Sequence, residues 1–95
     1  MDIVGKGKLN EFSGKHADAR KQIESWVALV EAAEWTSPMD IKEHFSHADF
    51  LGDGRCVFNI KGNTYRLYVK IAYKTKKVLV KEVGTHAEYD RWDLS

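Results

Sequence analysis

The sequence predicts a small α+β protein, with a helical first half and a three- to four-stranded, mainly antiparallel sheet packed against two or three N-terminal helices. Three observations predict it. Apolar residues recur every three to four positions up to about residue 45, the period changes to two after about residue 54, and glycine-containing turns separate the alternating runs. The chain of 95 residues has no repeat, linker or low-complexity tract and reads as one domain, residues 1–95.

Asp2 to Val4 suits a short strand, and Lys6 to Phe12 a short helix that Gly14 can end. A longer helix is expected from about Ala17 to Glu34, because Ile23, Trp26, Val27, Val30 and Ala33 form one apolar stripe. Ser37-Pro38 reads as a hydroxyl N-cap followed by proline at the first helical position, which starts a third helix running to about Phe45.

Gly52-Asp53-Gly54 is a turn. Beyond it Cys56, Phe58 and Ile60 alternate with Arg55, Val57 and Asn59. Lys61-Gly62-Asn63 is a tight turn whose residues tolerate positive φ. From about Thr64 to Tyr73, residues Tyr65, Leu67, Val69, Ile71 and Tyr73 form one face, and Arg66, Tyr68 and Lys70 lie on the other. After the basic turn Lys74 to Lys77, a last strand covers about Val78 to Val83, and His86 to Trp92 suits a terminal helical turn. Trp26 belongs to the core; Trp35 and Trp92 are open between core and partner surface.

No apolar run approaches the roughly 20 residues that span a bilayer, and the first residues do not form a secretory signal. Cys56 has no partner for an internal disulfide. The expected location is the cytoplasm, with no membrane partner. His16, His44 and His47 lack metal-ligand spacing, and no glycine loop suits a phosphate cofactor, so no metal or cofactor is expected.

The formal net charge is only +1, but its distribution is uneven. Residues 1–53 carry six basic and ten acidic side chains, residues 54–81 eight basic and none acidic, and residues 82–95 one basic and four acidic. A polyanion would feel the middle segment whatever the total. Arg66, Tyr68 and Lys70, with Lys81 on the neighbouring strand, read as a basic face for RNA phosphates with a tyrosine to stack on a base. Arg55, Lys74 and Lys77 extend it. Spacing alone equally allows an ordinary solvated face.

His86, Glu88, Tyr89 and Asp90 follow the last strand directly. RNA scission by the 2′-hydroxyl requires removing its proton, stabilising charge on the phosphate and protonating the departing 5′-oxygen. Histidine suits the proton steps, arginine and lysine the charge, and tyrosine can transfer a proton beside cations. A lone histidine or tyrosine in such a place is more often a cap or a core anchor; the adjacent basic strands favour chemistry. Asn59 and Asn63 are open between RNA contact and turn-shaping, and Gly62-Asn63 suits the turn.

The stretch Val57-Phe58-Asn59-Ile60-Lys61-Gly62-Asn63-Thr64-Tyr65-Arg66-Leu67 resembles the strand-turn-strand signature of HigB-family toxins. So does Val80-Lys81-Glu82-Val83-Gly84-Thr85-His86-Ala87-Glu88-Tyr89-Asp90. The resemblance covers the last 40 or so residues well and the helical half in layout only. It implies a RelE-like fold and an endoribonuclease that cuts mRNA in or near the translating ribosome, held silent by a HigA-type helix-turn-helix antitoxin. It makes Arg66 the holder of the scissile phosphate, Lys81 a second basic contact, and His86 and Tyr89 the proton-transfer residues, with Asp90 orienting His86 or capping the helix. Two other readings of the same surface are a non-catalytic RNA- or ribosome-binding module and a gyrase-inhibiting toxin; a structural partner protein is a third.

Overall fold

A computed structural model describes residues 1–94. The elements are β1 (Asp2–Val4), α1 (Lys6–Lys15), a 3₁₀ turn (Ala17–Ala19), α2 (Arg20–Ala32), α3 (Pro38–His44), β2 (Asp49–Gly52), β3 (Arg55–Ile60), β4 (Tyr65–Ala72), β5 (Lys77–Thr85) and α4 (His86–Tyr89). The strands form one sheet in the order β1-β5-β4-β3-β2. β2 to β5 run antiparallel as a meander, and β1 adds parallel to β5 at the edge.

The expected meander and N-terminal strand are both present. The fifth strand, β2, was not expected, because four residues give alternation too little length to register. Its turn into β3 depends on Gly54. The Gly54 carbonyl accepts the Ile71 amide at 2.7 Å, and a Cβ there would lie 2.4 Å from the Ile71 oxygen at a φ of +78°.

The helices bury one face of the sheet. Leu9 and Phe12 of α1, Ile23, Trp26 and Val30 of α2, and Ile41 of α3 join Cys56, Phe58, Ile60, Tyr65, Leu67, Val69, Ile71, Val78 and Val80 in one apolar cluster. Phe58 is its aromatic centre, stacked on Trp35 and edge-on to Trp26 and Phe45. Trp35 is thus core, at 2% exposure. The helix expected over 17–34 begins as a 3₁₀ turn and stops at Ala32. Ala33 is extended, which takes the chain out of the helix and delivers Trp35 to the core.

Two local expectations are corrected. Gly14 does not end α1; the helix runs through it to Lys15 and closes at His16, whose ring stacks on Phe12 at 4.3 Å. Ser37 occupies the N-cap position of α3 with proline following, but its hydroxyl makes no capping bond. Instead the Asp40 carboxylate accepts the Thr36 amide and hydroxyl at 2.8 and 2.9 Å, and those bonds hold it below the usual carboxylate range. In the β3–β4 turn, Lys61 and Gly62 take the positive φ values and Asn63 does not.

Candidate functional site

Arg66 sits near the start of β4, on the face of that strand that turns away from the helices. Asn59 of β3 stands opposite it on one side and Gly84 of β5 on the other. The next row is Val57, Tyr68 and Glu82, and the row after that is Arg55, Lys70 and Leu79. The register slips between Tyr68 and Val69, so that Lys81 and Glu82 together answer to Tyr68. This is a β-bulge, which bends the strand and re-aims side chains.

α4 follows β5 immediately and is fixed by a capping box. The Thr85 hydroxyl accepts the Glu88 amide at 3.2 Å, and the Glu88 carboxylate accepts the Thr85 amide at 2.9 Å. The bond from the Thr85 amide is the main cause of the lowered Glu88 pKa. The His86 amide donates to the Thr64 carbonyl at 3.2 Å and ties α4 to the start of β4.

That anchorage assembles a group of side chains over the sheet. The Arg66 guanidinium lies 5.3 Å from the Tyr89 ring centre. Tyr89 is edge-on to His86 at 6.2 Å and to Trp92 at 5.6 Å. His86 Nδ1 lies 3.5 Å from an Asp90 carboxylate oxygen, with the imidazole about half exposed. Arg66 Nη1 is buried and has no hydrogen-bond partner among the described residues. A buried guanidinium N–H without an acceptor is costly, and an anion oxygen would satisfy it.

The other predicted site residues are placed differently. Lys81 lies at the bulge beside Tyr68, one row from Arg66, and its carbonyl accepts the Lys8 ammonium at 2.8 Å. Lys8 is a nearby base that the sequence reading missed. Lys70 is exposed two rows from Arg66, roughly 13 Å along the strand at its usual rise. Lys77 pairs with Asp2 and Ala72 at the far end of the sheet, and Lys74 lies in the turn there, so neither shares a site with Arg66. Arg55 is committed to backbone carbonyls: its guanidinium donates to Gly52 at 3.2 Å, Leu51 at 2.8 Å and Leu94. Its role in this structure is to pin the chain.

The expected solvent-washed face is in part covered. Val57 and Tyr68 are 1% and 9% exposed, although the helices of the core lie on the opposite side. The segment after α4 accounts for this. A Cβ on Gly84 would lie 2.9 Å from the Trp92 ring, which places that indole on the Arg66 row. Leu94 meets Arg55 two rows away. The segment between them therefore crosses the Tyr68 row, and the Tyr68 ring is not free to stack on a base in this arrangement. Trp92 is a wall of the site. The one advance sign of this corner in the sequence is the Thr85-x-x-Glu88 capping pattern, which fixes where α4 begins.

Comparisons with known proteins identify the family. Residues 19–92 match the family model HigB_toxin, described as the RelE-like toxic component of a toxin-antitoxin system. The chain is 24% identical over 93 residues to the mRNA interferase HigB of Escherichia coli O6:H1, covering 96% of this chain and 90% of that protein. It is 24% identical over 92 residues to the mRNA interferase toxin HigB of Escherichia coli K12, and equally to the mRNA interferase HigB of Shigella flexneri, covering 95% of this chain and 88% of each. With the family model spanning most of the chain and the α+β architecture in place, this protein belongs to the HigB toxin family, the RelE-like toxic components of toxin-antitoxin systems.

Proposed function

We propose that this protein is an mRNA interferase, a toxin that cuts mRNA in association with translating ribosomes in the cytoplasm and is neutralised by a HigA-type helix-turn-helix antitoxin. The observation that carries the reading is the buried Arg66 Nη1 with no hydrogen-bond partner among the described residues, on a guanidinium held over the Tyr89 ring, to which His86 is in turn edge-on.

Arg66 receives the non-bridging oxygens of the scissile phosphate and stabilises the charge that builds on them in the transition state. The 2′-oxygen attacks phosphorus, the O2′–P bond forms and the P–O5′ bond breaks. One proton leaves the 2′-hydroxyl and one reaches the 5′-oxygen, which gives a cyclic phosphate and a free 5′-hydroxyl. His86 and Tyr89 share these two proton steps. Asp90 orients the His86 ring through Nδ1. Lys81 is a second cation for the strand of RNA beside the scissile bond.

The test is cleavage in a translating extract, mapped by primer extension, for the wild type and for Arg66→Ala and His86→Ala. New 5′ ends with the wild type that vanish in both variants are expected. Intact mRNA with all three folded proteins would overturn the enzymatic reading and leave a binding module on the same face.

A further inference from the structure

A cavity of about 470 Å³ opens at the free edge of β3, between the segment 44–48 and the β3–β4 turn. His44, Phe45, His47, Asn59 and Asn63 are among its lining residues. It exists because β2 pairs with β3 only from Arg55 to Val57, and beyond Val57 that edge of the sheet has no strand partner. We propose that this cavity is a nucleobase subsite of the RNA site, in which Asn59, Asn63 and His47 read the base of a nucleotide whose phosphate is held by Arg66.

Four observations support it. Asn59 stands directly opposite Arg66 in the strand register, and adjacent strands are about 4.8 Å apart, so one nucleotide reaches from guanidinium to cavity. The side chains of Asn59, Asn63 and His47 make no hydrogen bond or ion pair among the described residues, and each presents donor or acceptor groups of the kind that pair with base edges. No carboxylate lines the cavity, so nothing in it repels an adjoining phosphate. His44 is already oriented: its Nδ1 accepts the Trp35 indole N–H at 3.3 Å, which puts the proton of the neutral ring on Nε2.

The positive-φ positions of the turn are Lys61 and Gly62, so the backbone does not require asparagine at 63. The volume falls within the usual range for a small-ligand pocket, and the half-buried Phe45 offers a ring on its wall.

The inference rests on Arg66 as the phosphate holder, and the experiment separates the two. The isotopically labelled protein is titrated with the four nucleoside 3′-monophosphates, with the four nucleosides and with inorganic phosphate. The side-chain amide signals of Asn59 and Asn63, the His47 ring signals and the Arg66 Nε–H signal are followed by NMR. Nucleotides are expected to move all four residues, nucleosides the cavity residues alone, and phosphate Arg66 alone. Nucleotides that move Arg66 and leave the cavity residues still would overturn the subsite and spare the phosphate reading. Movement of the cavity residues without Arg66 would do the reverse. No response from any of the four would overturn both. Asn59→Ala and Asn63→Ala are then mapped for cut sites. A roughly tenfold loss of preference at one base position is expected; an unchanged preference in variants that still cut would overturn the subsite.

Discussion

The guanidinium of Arg66 rests 5.3 Å from the centre of the Tyr89 ring, so a side chain from the start of β4 is held in place by the short helix after β5. Such a contact is worth about 0.5–2 kcal/mol. It also keeps the cation from folding back onto backbone carbonyls, as Arg55 does two rows away.

On the proposed mechanism Tyr89 has two separable duties, as a platform for Arg66 and in proton transfer. Tyr89→Phe keeps the ring under Arg66 and removes the hydroxyl; Tyr89→Ala removes both. With tyrosine as a proton-transfer residue, Tyr89→Phe should cut the single-turnover cleavage rate by about 10²-fold or more with RNA affinity unchanged. Tyr89→Ala should also weaken RNA binding. Full cleavage by Tyr89→Phe would reduce the residue to a platform for Arg66.

Gly54→Ala should be among the most destabilising single-methyl additions in the chain. The new Cβ would meet a backbone oxygen, which cannot swing aside as a side chain can, and the residue would keep a positive φ. A loss of about 3 kcal/mol or more is expected in urea unfolding. Gly7→Ala, with nothing near its Cβ, is the control and should be neutral or slightly stabilising.

Cys56 should be silent toward thiol reagents in the native protein. Burial, with a smaller contribution from Asp49, pushes its thiol up to about 12, and the residue is inaccessible. Modification should occur only as the protein unfolds, at a rate that follows denaturant concentration. Rapid labelling in buffer would show that the β2–β3 corner opens locally.

The acid and alkaline limits of stability should share one cluster. The Asp18 carboxylate accepts the Lys61 ammonium at 2.7 Å and the Tyr65 hydroxyl at 2.7 and 2.9 Å. The Lys61 bond first, then the Tyr65 bond, lowers the Asp18 pKa below its ordinary 3.8. The same Asp18 bond raises Tyr65 above its ordinary 10.0. Asp18 thus contributes stability that is present above the ordinary aspartate value and is lost as pH falls through its lowered native one. Tyr65 contributes stability that is present below pH 10 and is lost as pH rises through its raised native value. Denaturation across pH should show Asp18→Asn flattening the acid limb and Tyr65→Phe the alkaline one.

Periodicity made the meander and the long helix legible, because Cys56, Phe58, Ile60, Leu67 and Val69 repeat every second residue and Ile23, Trp26 and Val30 follow a helical stripe. Alternation assigns a residue to one of two faces; it does not say whether a third layer lies on the outer one. Tyr68 was correctly placed away from the helices, yet the segment around Trp92 covers its row. Arg55 misled for a related reason. Two of its acceptors are three and four residues back in the chain, but the third is near residue 94, and side-chain charge carries no information about such partners. Where α4 begins was open to reading, since the Thr85-x-x-Glu88 capping pattern is a local signature, although the sequence reading did not draw on it.

The paired answer of Lys81 and Glu82 to Tyr68 also sets where this strand can change length over evolutionary time. Loss of the codon for Lys81 would leave Val80 opposite Val69 and Glu82 opposite Tyr68, straightening β5 without moving any other pair. Loss of a codon on either side of the bulge would turn part of the strand over, exchanging core valines for polar neighbours. Length variants of this family that keep both the core and the Arg66 corner should therefore have their gap at residue 81 or 82.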